Sequence, residues 1–143
     1  MEELTALRQH IQKKDYSAAL RLVDELEEMS KEDKLNKIYS YVVILLIHLI
    51  KQQAESRSTT SWDLSIRNAV RAIKRVNKRR KSGGYYANQE DLKEIIREAL
   101  EEAIDTACVE IFEGKYDRDY LDGIVDTEKI TTEAFELITE KSS

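Results

Sequence analysis

Residues Tyr41–Ile50 read YVVILLIHLI, a run in which His48 alone interrupts an apolar surface. Upstream, Leu35 and Ile38 point inward, while Lys31, Glu32, Lys34 and Lys37 fit the opposite, solvated side of a helix. VVILLI is also rich in strand-forming residues, so a buried strand is the competing reading. Flanking helical periodicity and total length favour a helix over residues 31–53. A helix apolar on every side is surrounded by protein, which places this one at the centre of a helical bundle.

Working outward, Ser30 and Asp33 approximate a capping box that would start this central helix. Before it, Leu4, Leu7 and Ile11 mark one short helix, and Ala19, Leu22, Val23 and Leu26 mark a second that Asp15 caps. The two form a hairpin over residues 3–29. It resembles one tetratricopeptide unit, but no second copy follows. After a polar loop, AESRSTT, Thr60 or Ser61 caps a helix over residues 62–81 with the inner stripe Ile66, Ala69, Val70, Ile73 and Val76. SGGYY breaks the chain, and Asn88 caps a helix over 89–113. That helix has the longest stripe in the chain: Leu92, Ile95, Ile96, Ala99, Leu100, Ala103, Ile104, Ala107, Cys108, Ile111 and Phe112. Gly114 ends it. The expected organisation is a helical bundle over residues 1–114, followed by an acidic tail, 115–143, with one short helix near Thr132–Thr139 docked by Phe135 and Ile138. The fold class is all-α: an antiparallel bundle with an N-terminal helical hairpin and a short C-terminal helix.

Composition agrees with this reading. The 143 residues suit one domain, with 36% charged and 41% apolar side chains over a modest core. No proline and only four glycines are too few turn residues for a sandwich or barrel. The longest uncharged run, Ile38–Ile50, covers roughly 20 Å as a helix, against about 30 Å for the hydrocarbon core. No membrane span is expected. MEELTALRQH lacks the apolar core of a secretory signal, and a single cysteine suits a reducing compartment, so a cytoplasmic protein is expected.

Charge is segregated. Between Leu64 and Gln89 lie Arg67, Arg71, Lys74, Arg75, Lys78, Arg79, Arg80 and Lys81, and no acidic residue. This +8 segment leaves −13 on the rest of a chain whose net charge is −5. Arg67, Arg71, Lys74, Arg75 and Lys78 fall on one helical face, and Tyr85 and Tyr86 follow the basic end. Cations beside aromatic rings are what single-stranded nucleic acid uses for phosphate contact and base stacking. An acidic protein surface would suit the same face. Against both stands internal neutralisation by Glu94, Glu98, Glu101, Glu102 and Asp105 of the following helix, and the sequence pI of about 5.2 opposes general nucleic-acid affinity.

Other residues offer less chemistry. His48 reads as a histidine bonded at the bundle's end near Trp62 or Arg57, rather than a base or ligand. With only His10 and Cys108 besides, no His/Cys metal cluster is available. Cys108 sits on an inner stripe as an inert thiol, and Trp62 closes one end of the core. Asp117, Asp119, Asp122 and Glu128 depart from a calcium loop, because the glycine comes one position late and Leu121 takes a ligand position. No phosphate-binding glycine loop, nucleophile elbow or zinc-protease motif is present, so no cofactor or metal is expected. The expected function is a non-enzymatic interaction protein docking a protein partner or itself. Nucleic-acid binding through residues 67–86 is the alternative, and an enzyme using His48 is a distant third.

Two stretches, LVDELEEMSKEDKLNKIYSYVVILLIHLIKQQ (22–53) and RSTTSWDLSIRNAVRAI (57–73), resemble a bacterial family of helical proteins, domain of unknown function twenty-nine. The matching residues are Glu25, Glu28, Met29, His48, Leu49, Lys51, Gln52, Arg57, Trp62, Ile66, Arg67 and Ile73; EDLKEIIREALEEAIDTA (90–107) resembles that family's next helix. Gln52 stands where the family carries an aromatic, and the tail lacks the family's proline. The resemblance implies a helical bundle in a bacterial cytoplasm and brings no catalytic residue with it.

Overall fold

A computed structural model describes residues 2–79, 83–115 and 117–140. Six α-helices follow one another: α1 (Glu2–Gln12), α2 (Tyr16–Glu55), α3 (Thr60–Asn77), α4 (Gln89–Glu110), α5 (Arg118–Ile124) and α6 (Thr127–Thr139). A 3-10 turn, Ile111–Gly114, follows α4. Among the described residues there is no strand, only an isolated bridge between Lys78 and Tyr85. The fold is the all-α bundle that the sequence predicts. No helix is long and apolar enough to cross a membrane among the described residues.

The chain divides into two compact units, Met1–Lys34 and Leu35–Ser143. In the first, Asp15 opens α2 by accepting the Ala18 amide at 3.2 Å. Ala19 is buried there, while Leu4, Ile11, Tyr16 and Leu20 stay exposed. The helix start expected at Ser30 does not occur, because α2 runs unbroken for 40 residues. Residues 30–37 hold no glycine or proline, and Lys31, Glu32, Lys34 and Leu35 all favour helix. A cap-like pair inside such a run has no loose end to cap.

In the second unit the core gathers Ile38, Val42, Leu45, Leu46 and Ile50 of α2 with Ile66, Ala69 and Ile73 of α3. From α4 come Leu92, Ile96, Ala99, Ala103, Ile104 and Ala107, and from α6 Ile130, Ala134 and Ile138. Ala99, Ala103, Ala107 and Ala134 are completely buried, and such small side chains let α6 pack closely on α4. The Tyr41–Ile50 stretch is helical but not enclosed on every side, since Ile44 keeps 41% of its surface exposed. One side of this helix therefore faces solvent, and Ile44 lies on it.

The segment after Gly114 is more ordered than a tail with one short helix. Asp117 caps α5 by accepting the Tyr120 amide, and Asp126 caps α6 by accepting the Lys129 amide. The helix expected at Thr132 therefore begins at Thr127. Gly114 does not end α4 as expected: that helix stops at Glu110 with Ile111 as its cap. Gly114, with φ +74° and a would-be Cβ 3.1 Å from the Val109 carbonyl oxygen, closes the 3-10 turn that follows.

Directions follow from contacts between ends. Lys51 near the end of α2 pairs with Glu110 at the end of α4, so those two helices run parallel with α3 reversed between them. Gln53 at the end of α2 bonds the Asp126 backbone where α6 starts, and Lys74 near the end of α3 reaches the Glu140 carbonyl where α6 stops. Thus α6 runs alongside α3 in the same direction, as the fourth helix of an up-down-up-down bundle.

Candidate interaction face

Thr59 opens α3, its hydroxyl accepting the Trp62 amide at 3.0 Å, one residue before the cap expected from sequence. Just inside, Ser58 donates to Asp63 at 2.6 Å and the Gln52 amide donates to Ser58 at 2.7 Å, tying the α2–α3 connection together. Ile66, Ala69, Ile73 and Asn77 face the core. That rotation sends Arg67, Arg71, Arg75 and Lys78 outward, all four exposed, with Leu64 48% exposed at the head of the same face. Lys74 sits on the flank, half-buried, and donates to the Glu140 carbonyl at 2.7 Å.

The helix stops at Asn77, four residues short of the expected Lys81. Asn77 is buried and bonds Ala87 twice: its Nδ2 donates to the Ala87 carbonyl at 3.1 Å, and its Oδ1 accepts the Ala87 amide at 2.7 Å. Outside this clamp the Tyr86 amide meets the Asn77 carbonyl at 2.9 Å, and the Arg79 amide meets the Gly84 carbonyl at 3.0 Å. A narrow loop results, turning at Gly83 (φ +71°) and Gly84 (φ +73°). The Arg79 guanidinium lies 5.5 Å from the centre of the Tyr86 ring, and Tyr85 stands 67% exposed. Arg80 and Lys81 lie outside the described residues.

The competing reading, neutralisation by α4, finds no ion pair between α3 and α4 among the described residues. Four of the five carboxylates in question are engaged elsewhere: Glu94 with Arg97, Glu102 with the Tyr39 hydroxyl, and Glu101 and Asp105 with Arg118; Glu98 enters no ion pair among the described residues. Among the described residues, Arg67, Arg71, Arg75 and Lys78 enter no ion pair. Arg118, on α5, also holds Asp122 at 2.9 Å, so three carboxylates surround one guanidinium. Its pKa rises above the usual arginine value, chiefly through the hydrogen bonds to Asp122 and Glu101. The Tyr39 hydroxyl, donating to Glu102 at 2.7 Å, has its pKa raised, first by that hydrogen bond and then by burial.

The remaining candidates separate. His48 Nδ1 lies 2.8 Å from the Ile44 carbonyl, one turn back in its own helix. Trp62 is half-buried, with the Arg57 guanidinium 4.7 Å and the Lys51 ammonium 5.8 Å from its ring centre. Arg57 also pairs with Glu55 at 3.0 Å, so these motif positions brace the helix junction. His48 does not share that brace: its bond is to its own helix rather than to Trp62 or Arg57. Cys108 is partly buried against the core. Asp117 caps α5 and Asp122 bonds Arg118, and no group of His, Cys, Asp or Glu suited to a metal forms among the described residues.

One feature was not anticipated from sequence. Glu133, Glu136 and Glu140 form an exposed stripe on α6, beside α3, around shallow concavities open to solvent. Among the described residues, none of the three side chains enters an ion pair. Their spacing of three and four was readable, but reading the region as a tail gave the spacing no face to belong to.

No curated protein and no solved structure matches the chain. A family model does: the one described as Domain of unknown function DUF29 matches residues 2–122, from the start of α1 into α5, and the chain belongs to that family.

Proposed function

We propose that this chain is a non-enzymatic interaction protein, and that the outer face of α3 with the loop after it docks an acidic surface of a protein partner. One observation carries the reading. Arg67, Arg71, Arg75 and Lys78 stand exposed and enter no ion pair among the described residues, and the α4 carboxylates Glu94, Glu101, Glu102 and Asp105 are bound to Arg97, Arg118 and Tyr39. Exposed cations clustered on one face and held in no ion pair raise the local potential and steer an anionic surface towards it. Leu64 on the same face supplies the apolar contact that protein interfaces combine with arginine. The single thiol suits a reducing bacterial cytoplasm.

A second reading, nucleic-acid binding, draws support from Tyr85, an exposed ring beside the cations that suits base stacking. Purification from the native host under cross-linking, with wild type and the reversal R67E/R71E/R75E side by side, tests both. A defined protein recovered with wild type and lost with the folded variant supports docking. Nucleic acid recovered in its place, and released by salt, selects the second reading. Equal recovery with both baits overturns the assignment of this face.

A further inference from the structure

The α3 cations and the α6 carboxylates lie on neighbouring helices of one bundle, yet do not neutralise each other. Lys74 bonding the Glu140 carbonyl fixes the two helices side by side. On α6, Phe135 meets Lys93 of α4, while Leu137 lies on the flank away from α4. Glu133, Glu136 and Glu140 sit between that flank and solvent, on the side where α3 presents Arg71, Arg75 and Lys78.

We propose that this doubled surface docks a second copy of the same chain, α3 of each copy against α6 of the other. The inference rests on the docking reading above and names the partner. A two-fold contact requires a surface complementary to itself, and a basic strip beside an acidic strip meets that requirement.

Spacing supports the pairing. Arg71, Arg75 and Lys78 step by four and then three residues, and Glu140, Glu136 and Glu133, taken backwards, do the same. At a rise of 1.5 Å per residue both triplets span roughly 10 Å. Backward order is what the pairing needs, because α3 and α6 are parallel within one copy. A two-fold axis perpendicular to them sets α3 antiparallel to the partner copy's α6. Arg71 then faces Glu140, Arg75 faces Glu136 and Lys78 faces Glu133, and the two-fold repeats each pair.

Charge reversal in halves tests this. R71E/R75E makes both strips acidic, and E133R/E136R makes both basic, so neither variant should pair with itself. Mixed in equal amounts, each presents the complement of the other at both contacts. Sedimentation velocity on the full chain should show a wild-type dimer at low salt. That dimer should dissociate at about 1 M salt, where the screening length is about 3 Å. Each folded variant should run as a monomer, and the dimer should return in the mixture. A wild type that stays monomeric at low salt overturns the inference, as does a mixture that stays monomeric while both variants keep their helical circular dichroism. A dimer that survives 1 M salt or R71E/R75E overturns it too. If wild type is monomeric yet loses a co-purifying protein on R67E/R71E/R75E, self-docking fails and the docking face stands.

Discussion

The Asn77 side chain, itself buried, bonds the Ala87 backbone ten residues away through both its amide oxygen and its amide nitrogen. One side chain thus ends α3 and delivers the chain to Asn88, which begins α4 with a capping box shared with Asp91.

Asn77→Ala removes both partners from a buried peptide group. Each unsatisfied buried polar atom costs about 1–3 kcal/mol, so with two left unpaired stability should fall by roughly 2–6 kcal/mol in urea unfolding. Asn88→Ala, at an exposed cap, should cost only about 1 kcal/mol by the same measurement.

Within the central stretch, Leu46 and Ile44 differ sharply in consequence. Leu46 is fully buried and Ile44 is 41% exposed. Leu46→Ala should cost about 2–5 kcal/mol through lost transfer energy and a cavity. Ile44→Ala should cost less than about 1.5 kcal/mol, because part of its surface never left water. Equal losses in paired denaturation curves would contradict the solvent side assigned to this helix.

Replacing Arg118 with methionine keeps the apolar stem but removes the guanidinium that joins α5 to α4. Exposed pairs contribute about 0.2–1 kcal/mol each, so a global loss near 1 kcal/mol is expected. Hydrogen exchange should quicken selectively in Arg118–Ile124, because Glu101, Asp105 and Asp122 then repel one another without their shared cation.

Tyr39→Phe should lower stability by about 1 kcal/mol at neutral pH. The folded-state pKa of Tyr39 is raised, so its contribution is full below the ordinary tyrosine value near 10 and is lost as pH climbs through the folded value. The gap between wild type and Tyr39→Phe should therefore shrink above about pH 10 in denaturant titrations.

Where an apolar stripe was long, the sequence was enough. Of the eleven-residue stripe that runs along α4 into the 3-10 turn, Leu92, Ile95, Ile96, Ala99, Ala103, Ile104, Ala107 and Ile111 are buried, Leu100 and Cys108 are partly buried, and the Phe112 side chain lies outside what the structure describes. Carrying the helix on through Lys78–Lys81 runs past the apolar stripe, which ends at Val76. Nothing local announced that Asn77 would find Ala87. The acidic composition after Gly114 obscures Ile130 and Ala134, which continue back from Ile138 at a spacing of four, a plain helical signature, along with two aspartate caps. The freedom of the α3 cations was not legible at all. Which cation or hydroxyl takes Glu101, Asp105 and Glu102 is settled only when distant segments meet, and they go to Arg118 and Tyr39.

Gly83 and Gly84 both turn with positive φ, and a Cβ at either would meet nothing within 4 Å. What closes that loop is its base, at Asn77 and Ala87, so its tip resembles the open end of a zip whose slider is already locked. Extra residues, an epitope or a fluorophore attachment point, spliced between the two glycines would hang clear of the bundle. A reporter placed there would sit beside the arginines and sense whatever comes to rest on them.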